Sequence, residues 1–484
     1  MKRFKIYFLA FVVLTSTSCK KFLEQSPDNR TQLSSVDKVA QLLGTAYPQY
    51  NCINICESMS DNVADRGSAY SDDNINAAMY RFQDIADDQQ DSPQGFWSES
   101  YKAIAAANQA LKACEQNSSN PAYAPYKGEA LLARAYNHFM LVTLFSKTYD
   151  AATAATDAGV PYVIEPEEVV FKKYDRKTVA YVYQQIEKDL LEGLPLIKDQ
   201  SYTVPKYHFN KQAANAFAAR FYLFKKDYKK VIQYANAVLP GDNFKENLRQ
   251  WNTDEYQLLG YEALWDKYQR ATEPTNLLLS GTVSTWWITS LYARFGLSTA
   301  LRNQMFSAAN ITGGAWSFKL FSIGGTHHMI PKNKDYFVPS SINANIGLYR
   351  LSAPLLTLEE VLFNRAEAYV YDGNTVAAIK DLNTYASTRI TNYNPATRNI
   401  TESKLTTFYA PSNLQDALIK CILEFKKREF VQEGLRWFDV LRYKIPVTHT
   451  TTTGDEYTLT ENDLRRVIQI PSSATLSGIA QNPR

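Results

Sequence analysis

The side chains that could do covalent chemistry in this chain are few, and most fail on spacing. Glycoside hydrolysis needs two facing carboxylates, about 5–5.5 Å apart for retention or about 6.5–9.5 Å for inversion. Asp61, Asp65, Asp72 and Asp73 crowd carboxylates into one short segment, but no pattern in it sets two of them across a cleft. Of the 5 His, only His327 and His328 are close. Adjacent side chains rarely aim at one ion, so a polar loop is the expected setting there. Cys52 and Cys56 are near neighbours, Cys114 and Cys421 stand alone, and no CxxC pair exists. They read as small buried apolar residues, with a single disulfide left open. There is no GxSxG, HExxH, P-loop or GxGxxG. No catalytic residue, metal or cofactor is expected.

Binding chemistry is better represented. Residues 57–82, ESMSDNVADRGSAYSDDNINAAMYRF, combine Asp61, Asn62, Arg66, Tyr70, Asp73 and Tyr80. A second group is Trp286-Trp287 with Tyr292 and, further on, Trp316. The flat C–H face of a sugar ring lies on an exposed Trp or Tyr, while its hydroxyls bond to Asp, Asn, Arg and Gln. One such aromatic contact adds about 0.5–1.5 kcal/mol beyond area burial. Two or three, with hydrogen bonds, reach affinities of about −4 to −8 kcal/mol, suited to capture and release. Of the adjacent Trp286 and Trp287, one is expected to be buried and one exposed. Trp97, Tyr101 and Trp437 read as core.

These residues must be held by helices. The chain has 484 residues with 45% hydrophobic side chains, enough for two or three folding units. Its 52 basic and 49 acidic residues leave a net charge of +3, too small for a nucleic-acid binder. Trp97, Tyr101, Ile104, Asn108 and Leu111 step by four and three, which places them on one helix face. Tyr126, Ala130, Ala133, Asn137, Met140 and Leu144 repeat the pattern. Residues 176–198 read as a third helix, with Thr178 near its cap. Residues 213–239 and 362–382 each read as a helical hairpin of the tetratricopeptide kind, with Gly373-Asn374 turning the second. A segment between them, 240–349, carries Trp251, Trp265, Trp286, Trp287 and Trp316, five of the 7 Trp, with many Gly, Ser, Thr and Asn. It is expected to be loop-rich, and loops on a rigid frame are where binding residues sit. Gly434 is expected to break residues 423–443 into two helices.

The N-terminus is an address. Lys2, Arg3 and Lys5 precede an unbroken apolar run from Ile6 to Leu14, the plan of a secretory signal peptide over 1–18. That run is shorter than the roughly 20 residues a membrane span needs. Cys19 stands where lipoprotein processing would acylate it, which would tether the folded body to a membrane.

Motifs along nearly the whole chain resemble the SusD/RagB family of outer-membrane lipoproteins. They are CKKFLEQSPDNR at 19–30, FWSESYKAIAAANQAL at 96–111, GVPYV at 159–163, DRKTVAYVYQQIEKDL at 175–190, RLSAPLLTLEEVLFNRAEAY at 350–369, EFKKREFVQEGLRWFDVLRY at 424–443 and IPSSATLSGIAQNPR at 470–484. The resemblance implies a mostly α fold: a tetratricopeptide-like helical-hairpin scaffold, an α/α superhelix, with a loop-rich inserted half. It divides the chain into the signal peptide, an N-terminal helical region at 19–239, the insertion at 240–349 and a C-terminal helical region at 350–484. It implies a surface-exposed lipoprotein of the outer membrane, anchored through Cys19. Such a protein binds an oligosaccharide or polysaccharide and passes it to a SusC-like TonB-dependent transporter. In such proteins acidic residues just after the acylated Cys aid surface export, whereas here Lys20-Lys21 come first. A protein-binding adaptor and a glycoside hydrolase are the competing classes.

Overall fold

The computed structural model describes residues 33, 35–67, 69–71, 73–166, 172–241 and 244–484. Residues 1–18, Cys19 and Asp72 lie outside the described residues.

Ser35 caps the first helix, α1 (Val36–Leu43), its hydroxyl accepting from the Lys38 amide. Two short helices follow, α2 (Ile53–Ser58) and α3 (Asn74–Tyr80). Ser92 then caps α4 (Pro93–Gln116), with Pro93 in the first turn, where its missing N–H does no harm. The expected stripe holds: Trp97, Ile104, Asn108 and Leu111 are buried, and half-buried Tyr101 donates its hydroxyl to the Pro161 carbonyl at 3.0 Å. The next helix, α5 (Ala124–Phe145), is buried on nearly every side. A helix apolar all round belongs at the centre of a helical layer, and α4 and α6 (Val179–Gly193) flank it. Thr178 caps α6 where expected, accepting from the Tyr181 amide.

The first tetratricopeptide-like hairpin is α7 (Lys211–Lys225) and α8 (Tyr228–Val238), with Asp227 capping the return helix. The segment expected to be loop-rich carries only short elements, among them α9 (Tyr261–Tyr268) and α10 (Trp286–Tyr292). The second hairpin is α11 (Leu358–Tyr371) and α12 (Thr375–Ala386), turned at Gly373, whose φ is +81°. Helix α8 packs on α11, so the two hairpins are neighbours despite the insertion. Then come α13 (Glu402–Tyr409), α14 (Leu414–Glu429) and α15 (Arg436–Arg442). The break at Gly434 is present, with φ +76°. A Cβ there would also meet Cβ of Cys56 at 3.0 Å and Cα of Ile53 at 3.2 Å, so this turn can press on α2 only as glycine. The fold is mostly α, a tetratricopeptide-like scaffold.

The strands are β1 (Ala64–Asp65), β2 (Asn276–Val283), β3 (Phe295–Gly296), β4 (Phe321–Ile323), β5 (His327–Met329), β6 (Tyr336–Pro339), β7 (Gly347–Thr357), β8 (Val447–Thr450) and β9 (Glu456–Leu459). They form one three-stranded sheet in the order β2-β7-β6 and the pairs β1-β3, β4-β5 and β8-β9, all antiparallel. The boundary expected between 349 and 350 falls inside β7, because β2 of the insertion pairs along that strand. The described cysteines, Cys52, Cys56, Cys114 and Cys421, are free thiols.

A buried ion network ties the insertion to the C-terminal helices. Arg389 donates from Nε to Glu429 at 2.8 Å and from Nη2 to Glu359 at 3.0 Å. Glu359 also accepts from the backbone and guanidinium of Arg249 at 2.9 and 3.2 Å. Arg249 reaches Asn276 on β2 at 2.7 Å, with its guanidinium carbon 3.7 Å from the Tyr268 ring centre. Burial raises the Glu429 carboxyl, but the Arg389 charge and hydrogen bonds more than offset it and hold it down to about 2.

Candidate functional site

The two binding segments singled out in the sequence meet in space. The backbone amides of Tyr70 and Ser71 both donate to the Tyr292 carbonyl, at 2.8 and 3.3 Å. Strand β1 pairs with β3, Ala64 opposite Gly296 and Asp65 opposite Phe295. Thus residues 57–82 form a brace along helix α10.

The brace is polar and mostly internal. Arg66 is buried and donates to the Ser290 carbonyl at 3.1 Å and to the Ala293 carbonyl, capping the C-terminal end of α10. Burial without a carboxylate partner pulls its guanidinium down to about 9. A Cβ on Gly296 would lie 2.7 Å from the Arg66 guanidinium carbon, so the close approach requires glycine there. Asp73 caps α3 by accepting from the Asn76 amide at 2.7 Å, and its other oxygen accepts from the Thr289 hydroxyl at 2.5 Å. At the opposite end of α10, buried Asp91 accepts from Ser284 Oγ at 2.6 Å and the Thr285 amide at 2.8 Å. An acid at the start of the helix and a guanidinium at its end both match its dipole.

Several of the residues singled out as candidate ligand contacts are engaged inside the protein. Asn62 is fully buried and donates to Glu57 at 3.1 Å. Asp61 pairs with Arg436 at 2.7 Å and Lys427 at 2.8 Å; burial works against its charged form, but the two cations hold the carboxyl well below the usual range. Asp65, against a smaller burial effect, is taken down to about 2 by Arg294. Trp286 is buried and donates Nε1 to the Gln432 carbonyl at 2.9 Å. Trp316 is buried against Phe425, ring centres 5.2 Å apart, on the α14 side. Asp61, Asp65, Arg66 and Asp73 found partners more than 200 positions away, which local spacing cannot reveal, whereas Asn62 turned to its near neighbour Glu57. His327 and His328 lie on β5 and are buried, not in a polar loop, because Thr326 bonds one and Ser322 and Thr299 the other. Among the described residues no group of three or more His, Cys, Asp or Glu is arranged to hold a metal ion.

Tyr70, Trp287 and Tyr292 do come together, and they continue into rings that the sequence did not single out. Centre-to-centre steps are 6.2 Å from Tyr70 to Tyr292, 6.1 Å to Trp287, 5.8 Å to Trp265, 5.6 Å to Phe321 and 5.0 Å to Tyr261. Tyr70 is 55% exposed at one end and Tyr261 37% at the other; Trp287, Tyr292 and Phe321 are half-buried and Trp265 is the buried support. Lys334 Nζ sits 5.3 Å from the Trp265 centre and 5.8 Å from that of Trp287, paired with Glu262. The Tyr70 hydroxyl rests on the β4–β5 turn, where a Cβ on Gly324 would be 2.1 Å from it. Spacing gave no sign of Tyr261 and Phe321, because each joins the strip only through α9 and the β4–β5 hairpin. A cavity of about 60 Å³ lined by Cys52, Phe96, Tyr136 and Ser280 lies elsewhere, between the scaffold and the sheet.

Arg66→Met keeps the side-chain stem and removes the cap on α10. It is expected to lower the unfolding free energy by about 1–3 kcal/mol, the cost of leaving buried carbonyls unpaired. Tryptophan emission should shift to the red as Trp287 loosens. Unchanged emission and stability in a denaturant titration would show that α10 does not depend on this brace.

A family model described as starch-binding associating with outer membrane matches residues 21–223, and the SusD family model matches residues 326–477. No curated protein matches the chain. A SusD superfamily protein from Bacteroides thetaiotaomicron is 19% identical, with a TM-score of 0.67 over 93% of this chain and 100% of that one. A SusD superfamily protein from Bacteroides vulgatus is 18% identical, with a TM-score of 0.66 over 93% and 98%. A SusD-like carbohydrate binding protein from the same organism is 16% identical, with a TM-score of 0.63 over 92% and 96%. With two family models covering most of its length and the same fold throughout, the chain belongs to the SusD/RagB family.

Proposed function

We propose that this protein binds a glycan along the Tyr70–Tyr261 strip and hands it to a TonB-dependent transporter, held at the outer membrane by an acyl group on Cys19. The observation that carries the binding reading is the row of partly exposed rings, flanked by a lysine and tyrosine hydroxyls. Flat sugar faces stack on such rings, and a row exposed at both ends accepts a chain longer than one residue. Arg66, Asp73 and Asp91 hold the platform and do not themselves touch ligand. The family-model description of outer-membrane association and the charged-then-apolar N-terminus support the location. No helix among the described residues is long and apolar enough to cross a membrane.

The test is affinity electrophoresis on a polysaccharide panel. The Tyr70→Ala/Trp287→Ala double variant is expected to bind the retained polysaccharide about tenfold more weakly, because each ring contributes about 0.5–1.5 kcal/mol. Equal retention of the variant and the wild type would place the binding surface elsewhere. Reducing ends released on incubation would move the protein to the glycoside hydrolases. Co-purification of an outer-membrane barrel from native membranes tests the hand-over.

A further inference from the structure

One surface is left over by the glycan-binding reading. Strands β6 and β7 extend as a hairpin whose residues 336–349, YFVPSSINANIGLY, include no charged side chain. Ile342 is 94% exposed and Ile346 78%, both at the tip. Tyr336, Phe337, Leu348 and Tyr349 are exposed nearer the base, with the Phe337 and Tyr349 rings 5.5 Å apart across the strands. Charge returns only at the base, where Asp335 is buried, Lys334 is paired with Glu262 and Arg350 donates to Gln49 at 3.2 Å. Single exposed apolar residues are ordinary, but a contiguous, charge-free projection marks an interaction site.

We propose that this hairpin dips into a lipid surface, the isoleucines entering the acyl region and the Tyr and Phe rings lying at the headgroup level. The order of side chains along it matches that of a bilayer interface: apolar tip, aromatic belt, then charged residues of both signs at the water side. The proposal rests on the anchoring at Cys19 put forward above. Residues 19–32 can span at most about 50 Å whatever their path, so an acylated Cys19 confines the body close to the leaflet. A weak second contact then becomes effectively intramolecular. The strip at Tyr70–Tyr261 meets the hairpin at its base, through Lys334, and none of the strip's rings belongs to the hairpin.

The experiment uses residues 19–484 with Cys19→Ser, which contains every described residue and no acyl group. It is floated with vesicles of equal parts phosphatidylethanolamine and phosphatidylglycerol. Ile342→Asp/Ile346→Asp is expected to reduce the vesicle partition coefficient about tenfold or more, with the melting temperature and polysaccharide retention unchanged. Wild-type protein that does not float, or a variant that floats equally well, overturns the proposal. So does a wild-type dimer in sedimentation that the variant converts to monomer, since a second copy would then cover the hairpin. Mass spectrometry of Cys19 from native membranes reads the anchor separately: a free thiol there removes the anchoring reading, while flotation still reports on the hairpin.

Discussion

Glu359→Ala is expected to destabilise the protein by about 3–5 kcal/mol, the usual cost of removing one partner from a buried ion cluster. Glu359 is fully buried and accepts from two arginines, Arg249 and Arg389, neither of which is exposed. Without it, Arg389 keeps Glu429, the Thr388 hydroxyl and the Arg249 carbonyl, while Arg249 keeps Asn276 and the Tyr268 ring. Arginine does not escape by deprotonating, so the penalty falls on the fold. Glu359→Gln keeps an acceptor for the Arg249 amide and should lose less. Urea unfolding of the three proteins measures this. A loss below about 1 kcal/mol for the alanine variant would mean that the cavity fills with water and solvates the arginines.

The position of this cluster links it to the aromatic strip. Arg249 and Asn276 belong to the insertion, Glu359 and Arg389 to the second hairpin and its exit, and Glu429 to α14. Lys332 extends the same seam, pairing with Glu433 at 2.5 Å in a buried setting. Next to Glu433, Gln432 accepts from the Ile330 amide at 2.9 Å and from Trp286 Nε1, and it donates to the His328 carbonyl at 3.1 Å. Helix α10 and strand β5, which carry or border the aromatic strip, therefore hang from the turn between α14 and α15. Loosening that seam is expected to weaken the proposed glycan binding without touching a ring.

The helical scaffold was legible because its signal is local. Steps of three and four residues, the cap at Thr178, the turn at Gly373 and the break at Gly434 are all set by neighbours within one or two turns. Sheet pairing has no such local mark: β2 and β7 lie some seventy residues apart, and β2 reads as an apolar run of either kind. The Trp concentration in the insertion has a mixed origin. Trp251, Trp265, Trp286 and Trp316 are buried and fill the spaces that short irregular elements leave, while Trp287 alone of the five is half-exposed. The exposed rings are mainly tyrosines, which tolerate a wet edge. Tyr70 was identified by its setting in a polar segment. Arg66 and Asp73 were identified by the same argument, yet they serve that segment from inside, because their partners arrive from α10.

Glu57→Gln is expected to be most destabilising in mild acid and to recover relative to wild type as pH rises. Glu57 is fully buried in α2 and accepts from the Gln432 amide at 2.6 Å and the Gly434 amide at 3.1 Å. Burial pushes its carboxyl from 4.5 up to about 7, against the pull of those amides, of Asn62 and of the Lys332 charge. Burial likewise takes Asp91 from 3.8 to about 7. Each keeps in the folded state a proton that the unfolded chain has released near pH 4. The stability from each is fully present below about pH 4 and is lost as pH rises through about 7. Buried imidazoles act oppositely: His138 is lowered by burial from 6.5 to about 3, and His449 and His328 are lowered too. Their contribution is present above about pH 6.5 and is lost as pH falls. Because the two sets oppose each other in one window, the wild-type profile should be shallow between about pH 4.5 and 6.5. The difference between wild type and Glu57→Gln isolates one carboxyl. It should change by about 1.4 kcal/mol per pH unit between about pH 4.5 and 7, on the order of 3 kcal/mol in all, always in the variant's favour as pH rises. Urea unfolding at several pH values gives the slope. A difference that does not vary with pH would mean that Glu57 is already ionised in the fold at pH 4.5, with Lys332 and the two amides outweighing burial. The turn carrying Gln432 would then be held by a charge, and the strip's support would be insensitive to acid.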